Sequence, residues 1–154
     1  VLGLAISLGA LFIIDLRMVG YALTNVSAKT IADRLNIPML IGFAMMFITG
    51  FLLLYAVPVR SVQSVWFRIK MVLLVAAAVN AYLFHKEMVA SASTWENDPV
   101  APSRLKLGAG LSLLFWSLIV ICGRFIAYDW YDCDYEQTAF INFVAGCVDG
   151  QEFF

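Results

Sequence analysis

Long runs of apolar residues, separated by short polar stretches, form the dominant pattern of the chain. A helix that crosses a bilayer needs roughly 20 mostly apolar residues. Four stretches have about this length: 1–23, 39–57, 66–89 and 104–128. The second contains no charged residue and stops at Pro58, whereas the third spans a bilayer only if the basic residues near its ends reach the interfaces. We therefore predict an all-α integral membrane protein, with a four-helix bundle over residues 1–128.

The segments outside these runs predict two further features. Residues 24–38 carry apolar positions at helical spacing, with Thr24 or Ser27 as a cap and Pro38 as an end. This pattern predicts a separate short interfacial helix. Residues 129–154 are acidic and aromatic, which predicts an extramembrane tail next to an interfacial belt of Tyr and Trp side chains.

Small residues four positions apart indicate where the helices approach each other. In membranes such pairs let two helix backbones come close together. The chain has three of them within the predicted spans: Gly3 and Ser7, Ala77 and Ala81, and Gly108 and Ser112.

Composition supports lipid as the surrounding medium. The chain is 62% hydrophobic and 14% charged, with a mean hydropathy of +0.86, whereas soluble domains are about 45–50% apolar and about 25% charged. Its formal net charge of −1 does not provide the basic surface that nucleic acids require. We predict contact with the lipid bilayer and no nucleic-acid partner.

The distribution of basic residues predicts the orientation. Six of the ten Lys and Arg residues lie in or beside the loops that join spans one to two and three to four. Because positive loops stay on the cytoplasmic side, both ends of the chain are expected outside, with the tail at the periplasmic face of a bacterial inner membrane. There Cys133 and Cys147 would form a disulfide, since that compartment is oxidising.

Polar and ionisable residues within membrane segments are costly and therefore candidates for function. The candidates here are Asp15, Arg17, Lys70, Asn80, His85 and Arg124. Spans one and three run in the same direction, so Asp15 is expected to pair with His85 or Lys86, close to Asn80. That group is a structural ion pair, a proton or quinone site, or a set of side chains that simply extend to the interface. Near the opposite interface, Lys70 and Arg124 are expected to pair with Asp129 or Asp132, or with lipid phosphate.

His85 is the one histidine of the chain and the candidate cofactor ligand. Haem b usually takes axial histidines, so a haem here needs a second ligand from another chain or a methionine on another span. The sequence contains no arrangement typical of a catalytic triad, a zinc site or a phosphate loop. We predict no catalytic residues and no metal ligands.

Several segments resemble a family of small bacterial four-helix membrane proteins of unknown function, distantly similar to copper-resistance D and cytochrome b561-type bundles. The resemblance covers roughly residues 1–128 and lies in these pieces: Leu11-Phe-Ile-Ile-Asp-Leu-Arg-Met-Val-Gly20, Gly42, Thr49-Gly50, Phe67-Arg-Ile-Lys70, Asn80-Ala-Tyr-Leu-Phe-His85, Trp116 and Gly123-Arg-Phe-Ile-Ala-Tyr128. It implies the four-helix architecture and leaves the activity open.

Three functions remain from the sequence. The first is a non-catalytic subunit that packs beside other membrane proteins, or beside its own copies, in a respiratory or photosynthetic assembly. The second is an electron-transfer module that holds haem b or quinone at His85. The third is a small transporter, for which Asn80 is the polar residue closest to mid-span.

Overall fold

The structure, a computed structural model, is all-α over the residues that it describes, which are 2–23, 25–95, 102–128, 133, 136 and 138–147. It has six helices there: α1 (Leu2–Val19), α2 (Ala28–Ala56), α3 (Pro58–Val62), α4 (Val65–Trp95), α5 (Ser103–Ile126) and α6 (Ala139–Ala145). Four of them are long and apolar enough to cross a membrane: α1, α2, α4 and α5. The predicted fold class and the multi-pass membrane character are therefore confirmed.

The prediction of a separate interfacial helix over residues 24–38 is wrong. Helix α2 starts after Ser27, whose side chain accepts a hydrogen bond from the backbone N–H of Thr30 at 3.2 Å, and it continues through Pro38 to Ala56. Proline removes only one backbone hydrogen bond, and membrane helices tolerate this loss because neighbouring groups compensate for it. The segment expected at the interface is thus the first part of the second span.

The four spans form an open bundle. Helix α1 packs along α2 on one side and along α5 on the other, and α5 packs along α4. In the described part of the chain, α2 and α4 are not packed along each other. They flank a cleft whose floor is made by α1 and α5. One ring contact crosses this cleft near mid-span, between Phe43 of α2 and Trp116 of α5, with centroids 5.0 Å apart.

Helices α1 and α2 touch at the backbone. A Cβ atom added at Gly42 would lie 2.7 Å from the backbone nitrogen of Ser7 and 2.8 Å from the carbonyl oxygen of Gly3. The Ser7 hydroxyl donates back to the Gly3 carbonyl at 2.9 Å, so no polar group of this side chain is left unpaired between the helices. The close approach predicted for Gly3 and Ser7 is confirmed, and Gly42 is the residue of α2 that they contact.

At Gly108, helices α4 and α5 meet through two side chains of α4. The Asn80 amide donates to the carbonyl of Gly108 at 2.9 Å, and the Phe84 ring covers the same glycine. Next to this contact, Met18, Leu105 and Ala109 form a buried cluster that joins α1 to α5.

The tail folds back on the start of α4. The structure joins Cys133 to Cys147 in a disulfide, and the Gln63 amide donates to the carbonyl of Gly146 at 3.4 Å. Gly146 ends α6 with a φ of 72°, a left-handed conformation that glycine adopts without strain. The short helix α6 is thereby held against the α3–α4 corner.

Candidate functional site

A cavity of about 280 Å³ lies among the four spans, at the end of the cleft nearer the α1–α2 and α4–α5 connections. All four spans contribute to its walls. Its polar lining consists of Asp15 from α1, Asp33 and Asn36 from α2, Asn80 and His85 from α4, and Ser112 from α5. The tertiary structure thus brings together three of the residues predicted from the sequence, Asp15, Asn80 and His85. We call this space the Asp15 cavity.

Asp15 is the most deeply placed polar group of the cavity. Its side chain is 4% exposed, and its Oδ2 atom has no hydrogen-bond partner. The side chain placed to hydrogen-bond with Asp15 is that of Ser112. Within the described residues, the predicted pair with His85 or Lys86 is not formed, since Lys86 does not line the cavity and His85 lines it without a hydrogen bond to Asp15. A buried carboxyl oxygen without a partner is costly, and it suits a ligand that donates a hydrogen bond.

Asn80 and His85 differ in how firmly they are held. Asn80 is half-buried and is fixed by its hydrogen bond to Gly108. His85 is exposed and lies at the rim, as do Asp33 and Asn36 on the facing helix. The cavity is therefore closed at its Asp15 end and open at its His85 end.

Arg17 has a structural position outside this cavity. It is 2% exposed, and its Nε atom donates to the carbonyl of Val26 at 2.9 Å. The guanidinium thus ties the end of α1 to the turn before α2. Asp15 and Arg17 point in different directions, as expected for residues two positions apart on a helix.

A second, mainly apolar cavity of about 220 Å³ lies on the other side of the Phe43–Trp116 contact. Methionine and aromatic side chains dominate its lining: Met46, Phe47, Phe51, Phe67, Met71 and Trp116. Gly50 also lines it, and so does Lys70, the one charged residue among the described lining. Lys70 is half-buried. We call this space the Lys70 cavity.

Arg124 lies near the end of α5 and contacts Tyr128. Its Nη2 atom donates to the Tyr128 hydroxyl at 3.0 Å, and its guanidinium carbon lies 4.9 Å from the ring centroid. Asp129 and Asp132, the predicted partners of Lys70 and Arg124, lie outside the described residues. Their pairing stays a prediction.

Ser112, Asp33 and Asn36 also line the cavity, but they were not predicted from the sequence. Ser112 was recognised only as a small residue one turn after Gly108, although a hydroxyl on that face of a span is itself a polar signal. Asp33 and Asn36 were assigned to a helix that does not exist separately. Among the described residues, no three of His, Cys, Asp and Glu come together in a way that could hold a metal ion.

Comparison with known proteins places the chain in a group without an assigned activity. A family model described as a family of unknown function, DUF6644, matches residues 1–129, which include all four spans. No curated protein and no solved structure matches the chain.

Proposed function

The chain belongs to this family, and from its geometry we propose that it is a non-catalytic integral membrane subunit that receives a helix of another membrane protein in the cleft between α2 and α4. The observation that supports this proposal is the Lys70 cavity, where two spans that flank an apolar space do not pack along each other. Helices in lipid gain little from apolar burial alone, so a stable contact needs a fitted surface.

The lining of the Lys70 cavity has the character of such a surface. Methionine and aromatic residues are enriched at the centres of protein interfaces, and methionine adapts its shape to a partner. Gly50 faces this space, and a Cβ atom added there would meet nothing within 4 Å. A partner backbone can therefore approach at Gly50 as closely as α1 approaches at Gly42.

Photo-crosslinking from two positions on α2 tests the proposal. A photoreactive residue at Phe51, which lines the cavity, should give one protein adduct of defined mass in native membranes. The same residue at Leu52, which is exposed and does not line the cavity, should react mainly with lipid. Equal patterns at both positions, or lipid adducts alone at Phe51, would contradict the proposal. Co-expression of two tagged forms separates a second copy of this chain from a different protein.

A substitution at Gly50 gives the matched control. Gly50→Leu fills the cleft and should abolish the adduct formed at Phe51, while the purified protein keeps its helicity. Gly110→Leu places the same side chain on α5 at another glycine with open space around it, and the adduct should persist. Loss of the adduct in both variants would show that bulk anywhere on the surface disturbs assembly.

The electron-transfer alternative has less support from the geometry. His85 and Met39 line the same cavity from different helices, and a His–Met pair is a known haem ligand set. However, about 280 Å³ lies just below the roughly 300–1,000 Å³ of ordinary ligand pockets, which does not favour a ligand as large as haem. A reduced-minus-oxidised spectrum with Soret and α bands, lost in His85→Ala, would favour the electron-transfer function over the subunit function. The respiratory or photosynthetic setting and the transporter alternative stay predictions.

The orientation with the tail at the periplasmic face is also a proposal. It is supported by the Cys133–Cys147 disulfide, because disulfides persist in oxidising compartments. In intact cells, a membrane-impermeant maleimide should label the tail cysteines only after mild reduction. Labelling only after the inner membrane is permeabilised would place the tail in the cytoplasm. The Cys122→Ala background removes the one other thiol, which is buried in α5.

A further inference from the structure

We propose that the Asp15 cavity is a binding site for a lipophilic organic cation, a protonated amine whose N–H group donates to the Asp15 carboxylate and whose apolar body fills the remaining space. The cavity lies on the other side of the Phe43–Trp116 contact from the Lys70 cavity. The inference therefore stands independently of the helix-docking proposal, and either can fail alone.

The unpartnered Asp15 oxygen defines the polar end of the ligand. Asp15 is 4% exposed and lines the cavity, and its Oδ2 atom is buried without accepting a hydrogen bond. A buried carboxyl group in this position is either protonated or neutralised by a cation. The ligand that satisfies it best combines a hydrogen-bond donor with a positive charge.

The other lining groups also favour a positively charged ligand. Asp33 adds a second carboxylate at the rim, and none of the described lining residues is Lys or Arg. Lys86 follows His85 along α4 but does not line the cavity. The titratable groups that face the space are therefore Asp15, Asp33 and His85, so carboxylates outnumber cationic side chains.

The rest of the lining defines the body of the ligand. The apolar walls include Leu11, Ile14, Phe84 and Met88. An apolar cavity of about 150 Å³ holds a benzene molecule, so about 280 Å³ accommodates an aromatic ring with a short aminoalkyl chain. The exposed side chains of Asp33 and His85 mark the end at which such a molecule enters.

The donor pattern also distinguishes this ligand from an oxidised quinone. Quinone oxygens accept hydrogen bonds, and an ionised carboxylate donates none. The Asn80 amide already donates to the carbonyl of Gly108. In its ionised form the deepest group of the cavity thus matches an ammonium group and does not match a quinone carbonyl.

Equilibrium binding to the purified full chain in nanodiscs tests the inference with three probes of similar size. These are 2-phenylethylamine, 2-phenylethanol and 3-phenylpropionate. Because hydrogen bonds to charged groups are stronger than neutral ones, the amine should bind about tenfold more tightly than the alcohol. The carboxylate probe should not bind measurably. Equal affinity for amine and alcohol would overturn the proposal and indicate a neutral donor such as a quinol.

Three variants test the position of the site. Asp15→Asn keeps the size and removes the charge, and it should weaken amine binding about tenfold or more. Glu87→Gln, on α4 and outside the cavity lining, is the control, and it should change the affinity less than about threefold, since charges in water are screened. Ala81→Leu fills the cavity from an exposed position on α4 while leaving the carboxyl intact, and it should abolish binding even if Asp15→Asn does not fold. Unchanged amine affinity in Asp15→Asn or in Ala81→Leu would refute the site.

Discussion

The two hairpins of the bundle, α1–α2 and α4–α5, are held together in different ways. Between α1 and α2 the backbones touch, and Gly42 leaves no room for even a methyl group. Between α4 and α5 the contact passes through the Phe84 ring and the Asn80 amide, both directed at Gly108. Both interfaces follow from the same rule, since helices in lipid associate by close packing and by hydrogen bonds between helices.

The difference determines which interface tolerates change. A backbone contact cannot relax without moving a whole helix, whereas a ring can rotate and an amide can find a water molecule. The more adaptable hairpin also supplies Asn80 and Ser112 to the Asp15 cavity. Because α1 supplies Asp15, both hairpins line this cavity, and we expect substitutions at α1–α2 to cost more stability than substitutions at α4–α5.

The largest effect is expected from Gly42→Ala. Its new methyl group would overlap backbone atoms of Gly3 and Ser7, so α1 and α2 must separate. Overpacking of this kind costs about 1–3 kcal/mol. Unfolding in mixed micelles, followed by loss of helicity, measures this cost. Gly50→Ala on the same helix has open space around it and should leave stability unchanged. Equal losses in both variants would mean that the contact at Gly42 is not the cause, since alanine itself favours a helix more than glycine does.

A smaller effect is expected from Asn80→Ala. This variant removes the hydrogen bond from Asn80 to Gly108, and polar contacts between membrane helices contribute about 0.6 kcal/mol on average and up to about 1.7. Asn36→Ala, at the exposed rim of the same cavity, is the matched control and should be neutral. A loss in Asn80→Ala as large as that of Gly42→Ala would remove the distinction between the two hairpins.

Gly108→Ala should cost less than Gly42→Ala. Its Cβ atom would lie 3.0 Å from Cδ2 of Phe84, the far end of a side chain that can turn away. We expect a loss below about 1 kcal/mol, at the lower edge of the usual range for overpacking. Gly110→Ala meets nothing within 4 Å and serves as the reference in the same unfolding measurement. A Gly108→Ala variant less stable than Gly42→Ala would reverse the proposed order.

The smallest effect is expected from Glu87→Gln. Its carboxylate lies 3.3 Å from Arg104, but the two side chains are 45% and 83% exposed. Exposed ion pairs contribute about 0–1 kcal/mol, and salt screens them. The variant and the wild type should therefore have the same stability at low and at high ionic strength. A salt-sensitive loss of stability would show that α4–α5 depends on charge as well as on packing.

Hydropathy and residue spacing predicted much of this architecture correctly. The four spans and the all-α class could be read from the sequence because each depends on local composition, whereas the spacing of Gly3 and Ser7 marked only one side of a contact between two helices. The continuation of α2 through Pro38 could not be read from the sequence. A proline ends a helix in one environment and lies within a helix in another. Asp15, Asn80 and His85 were selected as candidates because each is costly in a membrane.

The sequence by itself determined that the chain enters a bilayer, because long apolar segments are stable there only as helices that satisfy their own hydrogen bonds. Only the tertiary structure decided that α2 and α4 stay apart, and that Asp15 faces a cavity instead of pairing with His85 or Lys86. These outcomes depend on how far Gly42 and Gly108 let their neighbours approach. Helix approach is a property of two surfaces together, and no single segment of the sequence contains it.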